Sequence, residues 1–202
     1  TIINQNGWVW KLGMNLTHYK NKVTDLPLKD MPRSGVNKLQ VGRSVYDFYM
    51  IEWAGVDPEN GDPLWYMDEK DANKNPTGRR VTTNDYSSAD YYYVNKSSLP
   101  KVYGGFNTSL SWKGFDLSML LQAVGKHKVY YNNQAFRFVT VMGQSLNKDI
   151  TDHAWTPENP YNSKYPRLRN NANSKNNIAS DALVFNASYL RCKNIQLGYT
   201  LP

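Results

Sequence analysis

The chain has 202 residues, of which 40% are hydrophobic and only 20% are charged, and this length suits one domain. A single cysteine, Cys192, excludes an internal disulfide and a cysteine-based zinc site. The formal net charge is +7, but the basic residues are scattered rather than gathered on one element, and no nucleic-acid partner is expected. The 15 tyrosines, together with many Asn, Ser and Thr residues, are typical of β-structure with long polar loops.

Apolar residues that recur at every second position predict β-strands with one apolar face. The first such run opens the chain, and its apolar members are Trp8, Trp10, Leu12, Met14 and Leu16. A weaker alternation over residues 45–53 predicts a further extended segment. The last run covers residues 194–201, where Ile195, Leu197, Tyr199 and Leu201 alternate with polar or small residues.

The clearest pattern is a hairpin over residues 102–124. Its two-residue turn is Lys113-Gly114, with glycine where a positive φ is needed. A two-residue turn determines the register of the two strands. This register places Trp112 opposite Phe115, Leu110 opposite Leu117, Thr108 opposite Met119 and Phe106 opposite Leu121. One face is therefore apolar along its length, whereas the other is small and polar except for Leu120.

Two folds accommodate this hairpin: a soluble sandwich and a membrane barrel. Three details favour the barrel, namely strands of about ten residues, an aromatic pair at the tight turn and an uncharged polar face. Long polar stretches over residues 21–43, 57–99 and 125–183 agree with extracellular barrel loops, because compact soluble domains rarely contain structureless loops of this length. The expected fold class is all-β, with antiparallel transmembrane β-barrel strands and long extracellular loops.

The residues favour binding over catalysis. The three histidines are dispersed, and no His-Glu-x-x-His pair or nucleophile elbow is present, so neither an enzyme nor a cofactor is expected. Aromatic rings stack on sugar rings while Asn or Asp neighbours bond the hydroxyls. The predicted ligand-binding residues are the loop aromatics Trp53, Trp65, Tyr66, Tyr91, Tyr92, Tyr93 and Trp155. The alternative is that these rings pack the loops together or belong to the interfacial belt.

Several stretches resemble, in order and spacing, the SusC/RagA family of TonB-linked outer-membrane proteins. The first is EWAGVDPENGDPLWY at residues 52–66, and the second is PKVYGGF at residues 100–106, which runs on through WKGFDLS at residues 112–118. The third is WTPENP at residues 155–160 together with YPR at residues 165–167, and the fourth is YLRCKNIQLGYTLP at residues 189–202. The resemblance covers nearly the whole chain.

The resemblance implies a 22-stranded barrel filled by an N-terminal plug, which imports glycans or peptides across the outer membrane of Bacteroidetes. Residues 1–202 are expected to form the C-terminal part of this barrel, without the plug and without the final strands. The implied partners are a SusD-like lipoprotein lid, outer-membrane lipid, the transported ligand, and a TonB complex that contacts parts of the parent outside this chain. Two rivals are a secreted all-β carbohydrate-binding module and a barrel without a transport role.

Many members of the family carry an Asp-rich loop that invites calcium, and the matching stretch here contains Asp57, Glu59, Asn60 and Asp62. Their oxygens are of the type that holds a hard cation. The spacing is not that of an EF-hand, however, and two prolines restrict the backbone. A solvated turn is the favoured interpretation, and no metal is predicted.

Overall fold

The computed structural model of the chain describes residues 1–28, 31–132, 145–169 and 179–201. In these ranges the strands are β1 Ile3–Gln5, β2 Trp8–His18, β3 Asp47–Ile51, β4 Trp53–Val56, β5 Pro63–Lys70, β6 Pro76–Thr83, β7 Tyr91–Ser97, β8 Val102–Trp112, β9 Phe115–Gly125, β10 Lys128–Tyr130, β11 Val184–Asn186 and β12 Tyr189–Tyr199. The helical elements there are α1 (Lys148–His153) and two 3-10 turns, Tyr86–Ser88 and Asp181–Leu183. No helix within the described ranges is long and apolar enough to cross a membrane.

The largest element is an antiparallel sheet in the order β1-β2-β8-β9-β12, which we call the wall sheet. Its four long strands have 11 residues each. A tilted strand of about 9–11 residues crosses the hydrocarbon core of a bilayer. The predicted all-β fold with antiparallel strands is confirmed.

The predicted hairpin register is confirmed at each of its four pairs. The turn residues Lys113 and Gly114 have φ of 45° and 85°, as a two-residue turn that matches the strand twist requires. The strand β2, which contains the first predicted run, pairs with β8 over its whole length, from Trp8 opposite Trp112 to His18 opposite Val102. The first run therefore lies directly beside the hairpin.

One face of the wall sheet is apolar across all four long strands. At the tight-turn end, Trp8 stacks on Trp112 with ring centroids 4.8 Å apart, and Phe115 contacts Tyr199 at 4.5 Å. These four rings form one row across the sheet, because each faces the next in the strand pairing. Thr108 interrupts the apolar face, and its hydroxyl accepts a hydrogen bond from the indole N–H of Trp10 at 2.9 Å.

A β-bulge keeps this face apolar in β12. The pairing shifts between Cys192 and Asn194, so that Cys192 lies opposite Leu121 and Arg191 opposite Gln122. Side chains alternate between faces with a period of two, and one extra residue therefore exchanges the faces beyond it. Without the bulge, Arg191 would share a face with Ile195 and Leu197. The extra residue places the arginine on the polar face instead.

The strand β1 was not predicted from the sequence. It pairs with the start of β2 through a second two-residue turn, Asn6-Gly7, whose φ values are 51° and 79°. Both tight turns therefore lie at the same end of the wall sheet, which we call the turn end. The chain leaves the opposite end twice, as a first excursion over residues 19–101 and a second over residues 126–188.

The first excursion is structured, and the expectation of a structureless loop over residues 57–99 is wrong; of residues 125–183, the described part contains β10, α1 and the 3-10 turn Asp181–Leu183. The first contains the three-stranded sheet β4-β5-β6 and the pair β3-β7, while β10 in the second pairs with β11. The extended segment predicted at residues 45–53 is confirmed as β3 and the start of β4. Side chains of alternating burial along β3 and β5 supply the apolar surface that orders these small sheets.

Burial in this chain is inverted relative to a soluble domain. Every buried residue of the described ranges lies in the excursions, in clusters around Phe48, Met50 and Val184 and around Ile51 and Trp65. Met50 is 1% exposed, whereas Met14 and Leu197 on the wall sheet are 76% and 77% exposed. The apolar face of the wall sheet is thus uncovered by any described part of the chain.

Arginine substitution distinguishes the two faces. Met119 lies at mid-strand on the apolar face, and Met119→Arg is expected to lower the free energy of unfolding by roughly 2–4 kcal/mol, because arginine near the bilayer midplane is poorly solvated. The matched control is the neighbouring Ser118→Arg on the polar face, where a much smaller loss is expected. The measurement is denaturant unfolding of the complete protein in lipid vesicles, and equal losses would contradict a lipid-facing assignment.

Candidate functional site

The acidic stretch forms the turn between β4 and β5. The Asp57 carboxylate accepts hydrogen bonds from the backbone N–H of Glu59 and from the side-chain amide of Asn60, both at 2.9 Å. The Asn60 carbonyl oxygen accepts from the backbone N–H of Asp62 at 2.7 Å, and the Asp62 carboxylate pairs with Arg169. Oxygens of Asp57, Asn60 and Asp62 are therefore occupied within the turn and with Arg169. No group of three or more His, Cys, Asp or Glu suited to a metal occurs within the described ranges.

Two of the seven predicted aromatics are buried in the excursions. Trp65 is 1% exposed, and its ring meets Trp53 edge-on at 6.3 Å and Tyr86 at 5.1 Å. Its indole N–H has no hydrogen-bond partner among the described residues. A ligand reaches the Trp65 ring only if this core opens, so the ring acts as packing for the sheet β4-β5-β6.

Trp155 is the second buried ring, at 7% exposure, and it joins the two excursions. Its indole N–H donates to the carbonyl of Pro58 at 3.1 Å, and its ring lies against Gly61. The Arg167 backbone N–H donates to the Gly61 carbonyl at 2.8 Å. The second excursion is thereby docked onto the acidic turn.

Asp181 makes a further link between the excursions. Its carboxylate accepts the backbone N–H of Trp53 and pairs with the Lys96 ammonium, both at 2.7 Å, and its side chain is only 11% exposed. The Tyr86 hydroxyl donates to the carbonyl of Ala179 at 2.7 Å. Such charge-assisted, shielded contacts are stronger than exposed ion pairs.

Tyr91 and Tyr93 lie on the same face of β7 and form a row with Tyr49 of β3. The Tyr49 ring is 4.8 Å from Tyr93 and 5.9 Å from Tyr91, measured between centroids. Each ring of the row has a cation over it, in the pairs Arg33 with Tyr91 (4.4 Å), Lys38 with Tyr49 (5.2 Å) and Arg43 with Tyr93 (4.0 Å). The row therefore holds three cations at the surface.

Tyr92 points to the other face of β7 and joins a polar group that we call the Tyr92 cluster: Glu52, Asp68, Arg80 and Tyr92. The Tyr92 hydroxyl donates to Asp68 at 2.8 Å, and the Arg80 guanidinium lies 3.9 Å from the centre of the ring. Arg80 also pairs with Glu52 at 3.0 Å. Burial raises the pKa of the Tyr92 hydroxyl above its ordinary value, and the Asp68 carboxylate raises it further, so the hydroxyl stays protonated.

Tyr66 lies two residues before Asp68 in β5, on the same face of that strand. Its side chain is half-buried, and no hydrogen bond, ring contact or cation contact joins it to another described residue. An available ring beside a carboxylate and a guanidinium can stack on one part of a ligand while bonding another. Of the seven predicted aromatics, Tyr66 and Tyr92 are thus the two that adjoin this set of polar groups.

Glu52, Asp68 and Arg80 were missed by sequence reasoning. Glu52 lies beside the start of β4, Asp68 on β5 and Arg80 on β6. They meet only because these strands pair, with Asp68 directly opposite Arg80. The alternation around Trp65 in residues 63–69 was the available signal for β5. It assigns Tyr66 and Asp68 to the face opposite the buried tryptophan.

An amphipathic antiparallel sheet with an uncovered apolar face, aromatic rings at its turn end and structured loops at the other defines strands of a transmembrane β-barrel wall. No family model matches the chain. It is 27% and 28% identical to two TonB-dependent receptors of Formosa agariphila over its whole length, and it covers 21% and 20% of them. It is 28% identical to the TonB-dependent receptor SusC of Bacteroides thetaiotaomicron over 96% of the chain and 18% of the receptor.

Solved structures show a similarity to the same kind of protein. The chain superposes on the RagAB peptide transporter with a TM-score of 0.79 and 29% identity, covering 100% of this chain and 22% of that one. For the RagAB peptide importer in its open-open state, the TM-score is 0.75 at 27% identity, covering 100% of this chain and 21% of that one. The resemblance to the SusC/RagA family is confirmed. The chain spans about a fifth of the length of these relatives.

The contact between Gly61 and Trp155 can be tested with a matched pair of glycines. A Cβ at Gly61 would lie 2.7 Å from the Trp155 ring, whereas a Cβ at Gly78 meets nothing within 4 Å. Both glycines have positive φ, 74° and 81°, so alanine carries a similar backbone cost at each. We expect Gly61→Ala to cost about 1–3 kcal/mol more than Gly78→Ala.

The measurement is hydrogen exchange of the backbone amides of residues 154–167, which report the docking of the second excursion. Gly61→Ala is expected to accelerate their exchange, and Gly78→Ala to leave it near the wild-type rate. Similar exchange in the two variants would show that Trp155 does not hold the excursions together.

Proposed function

We propose that the chain is the C-terminal part of the barrel of a TonB-dependent transporter, which imports an oligosaccharide or a peptide across the outer membrane. The chain supplies part of the wall, part of the lumen lining and two extracellular loops. The observation that carries this proposal is the wall sheet, which is apolar on one face and polar on the other along strands of 11 residues.

The apolar face fits contact with lipid. The aromatic row at the turn end corresponds to the interfacial girdle on the periplasmic side, where barrels have short turns. Within the described ranges, β1 and β12 form the two edges of the sheet and have no further partner strand. Open edges are not tolerated in hydrocarbon, and further strands of the same barrel therefore have to pair with both.

The opposite face fits a wet lumen. Across mid-sheet it presents Lys11, Ser109, Ser118 and Gln196 in one row, and the Ser118 hydroxyl bonds the Gln196 amide oxygen at 3.4 Å. Val9, Leu120 and Val124 depart from this pattern. A secreted carbohydrate-binding sandwich would instead cover its apolar face with a second sheet. The 76% and 77% exposure of Met14 and Leu197 speaks against that rival.

The ligand-facing part is assigned to the excursions, which correspond to the extracellular loops. Tyr66 and the Tyr92 cluster form the proposed contact surface, Tyr91 and Tyr93 hold cations near it, and Trp53, Trp65 and Trp155 support it from within. RagAB is described as a peptide importer, and SusC as a TonB-dependent receptor; these names favour transport over catalysis. By the same analogy, a SusD-like lipoprotein covers the mouth, and a TonB complex acts through parts of the protein outside this chain.

The location is tested with an antibody against this chain on fractionated membranes of the source cells. We expect a band in the outer-membrane fraction, several times heavier than 23.2 kDa, that shifts on boiling because a folded barrel migrates anomalously. A soluble band near 23.2 kDa would overturn the transporter assignment and favour the secreted module.

The contact surface is tested by uptake. Deleting the gene should abolish growth on one class of oligosaccharide or peptide, and Tyr66→Ala in the restored gene should reduce uptake of that nutrient about fivefold or more, through loss of one stacking ring. The control is Tyr161→Ala, because Tyr161 is 84% exposed in the second excursion. Equal uptake by the two variants would remove Tyr66 from the site, whereas unchanged growth of the deletion strain on every nutrient would overturn import itself.

A further inference from the structure

Two cavities open where the wall sheet meets the excursions. One holds about 670 Å³ and lies between the ends of β2 and the start of β3, and the other holds about 550 Å³ and lies between β7 and β10. Both are lined by Arg43, Asp47, Ser97 and Lys101, so they adjoin each other, and we call the two together the joint cleft. Its size is that of a ligand site rather than of a packing defect.

The joint cleft has a strong excess of positive charge. Its basic lining residues are Lys20, Arg43, Lys96, Lys101, Lys126 and Lys128. Asp47 is the one carboxylate that lines it among the described residues. Lys96 is paired with Asp181, but Lys101, Lys126 and Lys128 have no carboxylate partner in the part of the chain that the structure describes.

The cations are held in place by the fold. The Arg43 guanidinium lies over the Tyr93 ring, and the Tyr93 hydroxyl is anchored on the carbonyl of Lys38 at 3.0 Å. Lys126 has a φ of 53° at the junction of β9 and β10, where the Ala187 backbone N–H bonds the His127 carbonyl at 2.9 Å. Gathering like charges without partners costs free energy, which an anion in the cleft would offset.

Two residues that line the joint cleft have an uncommon backbone conformation. Non-glycine residues with positive φ in the described ranges are Asn6, Lys74, Asn95, Lys113 and Lys126. Three of them lie in tight turns between strands, whereas Asn95 (φ 54°) and Lys126 line the joint cleft. Such conformations are uncommon outside turns and recur at ligand sites.

We propose that the joint cleft binds carboxylate or sulfate groups of an acidic oligosaccharide, which is the imported ligand; this inference rests on the transport function proposed above. Anionic groups complement the unpartnered lysines. Neutral side chains between the cations, such as Gln40, Ser97 and Asn186, match sugar hydroxyls. Apolar pockets for peptide side chains are few, because the aliphatic lining residues of the cleft are Val41 and Leu99.

The test uses a pentamer of galacturonic acid and its methyl ester, which share the sugar chain and differ in whether each carboxyl group is charged or carries a methyl group. Calorimetric titration of the complete protein in detergent is expected to give at least about tenfold tighter binding of the acid, through charge-assisted hydrogen bonds. That preference should fall as salt is raised from 50 mM to 500 mM, because the cleft is open to solvent.

The variant Lys126→Gln with Lys128→Gln is expected to weaken binding of the acid about tenfold and to leave binding of the ester unchanged. The matched control is Lys70→Gln with Lys74→Gln in the hairpin of β5 and β6. Each pair contains one strand lysine and one lysine with positive φ, at 53° for Lys126 and 64° for Lys74. Charge loss and backbone cost are therefore equal in the two variants.

Equal affinity for acid and ester, or equal effects of the two double variants, would overturn the cleft assignment while leaving import intact. Tighter binding of a pentamer of glutamate than of the galacturonate would overturn the oligosaccharide class in favour of an acidic peptide. If only phospholipid vesicles with anionic headgroups compete for the lysines, the cleft is a lipid site and the inference fails. Loss of import in the deletion strain is measured separately, so the two proposals fail independently.

Discussion

The structure depends on one constraint: each wall strand has to keep its apolar face in register with its neighbours. Side chains alternate with a period of two, so a slip of one residue would turn lysine and serine toward lipid. The turn at Lys113-Gly114 determines this register for β8 and β9, and β2 extends it without a break. In β12 the register holds only because of the bulge beyond Cys192, which returns Leu190 to the apolar face.

The two excursions are stabilised differently from the wall sheet, by buried apolar side chains. The excursions pack a conventional core around Met50 and Trp65, and they are joined to each other by Asp181 and Trp155. These contacts carry the surface groups of the Tyr92 cluster and hold the cations around the joint cleft. Loops arranged in this way have the defined geometry that selective binding needs, because their side chains are positioned before a ligand arrives.

The wall hairpin could be predicted from the sequence to the level of individual pairs, because a two-residue turn leaves one register and the apolar face is uninterrupted except at Thr108. The turn signal Asn6-Gly7 could have indicated the strand β1, but the three residues of β1 are too few to show a period. The bulge in β12 could not be predicted, since it follows from the pairing with β9. Structure in the excursions was hidden by their polar composition, because each small sheet is ordered by a few buried residues distant in sequence.

The sequence predicted which types of residue form the candidate site, but it did not predict how they are arranged. Tyr66 and Tyr92 could be named as loop aromatics, but nothing local distinguishes Tyr66 from the buried Trp65 except the face of β5 on which each side chain lies. Pairing of β5 with β6 brings Arg80 to Asp68, and this depends on contacts that a single sequence does not reveal.

The uncovered apolar face has a further consequence for the life of the protein before it reaches a membrane. In water, a broad patch bearing Met14, Ile195 and Leu197 beside unpaired strand edges is a template for aggregation. The polar face carries charged residues that oppose aggregation, yet β12 has no charged residue or proline between Ile195 and Tyr199. A newly made chain in water would therefore tend to aggregate unless this side is shielded until neighbouring strands close over its edges.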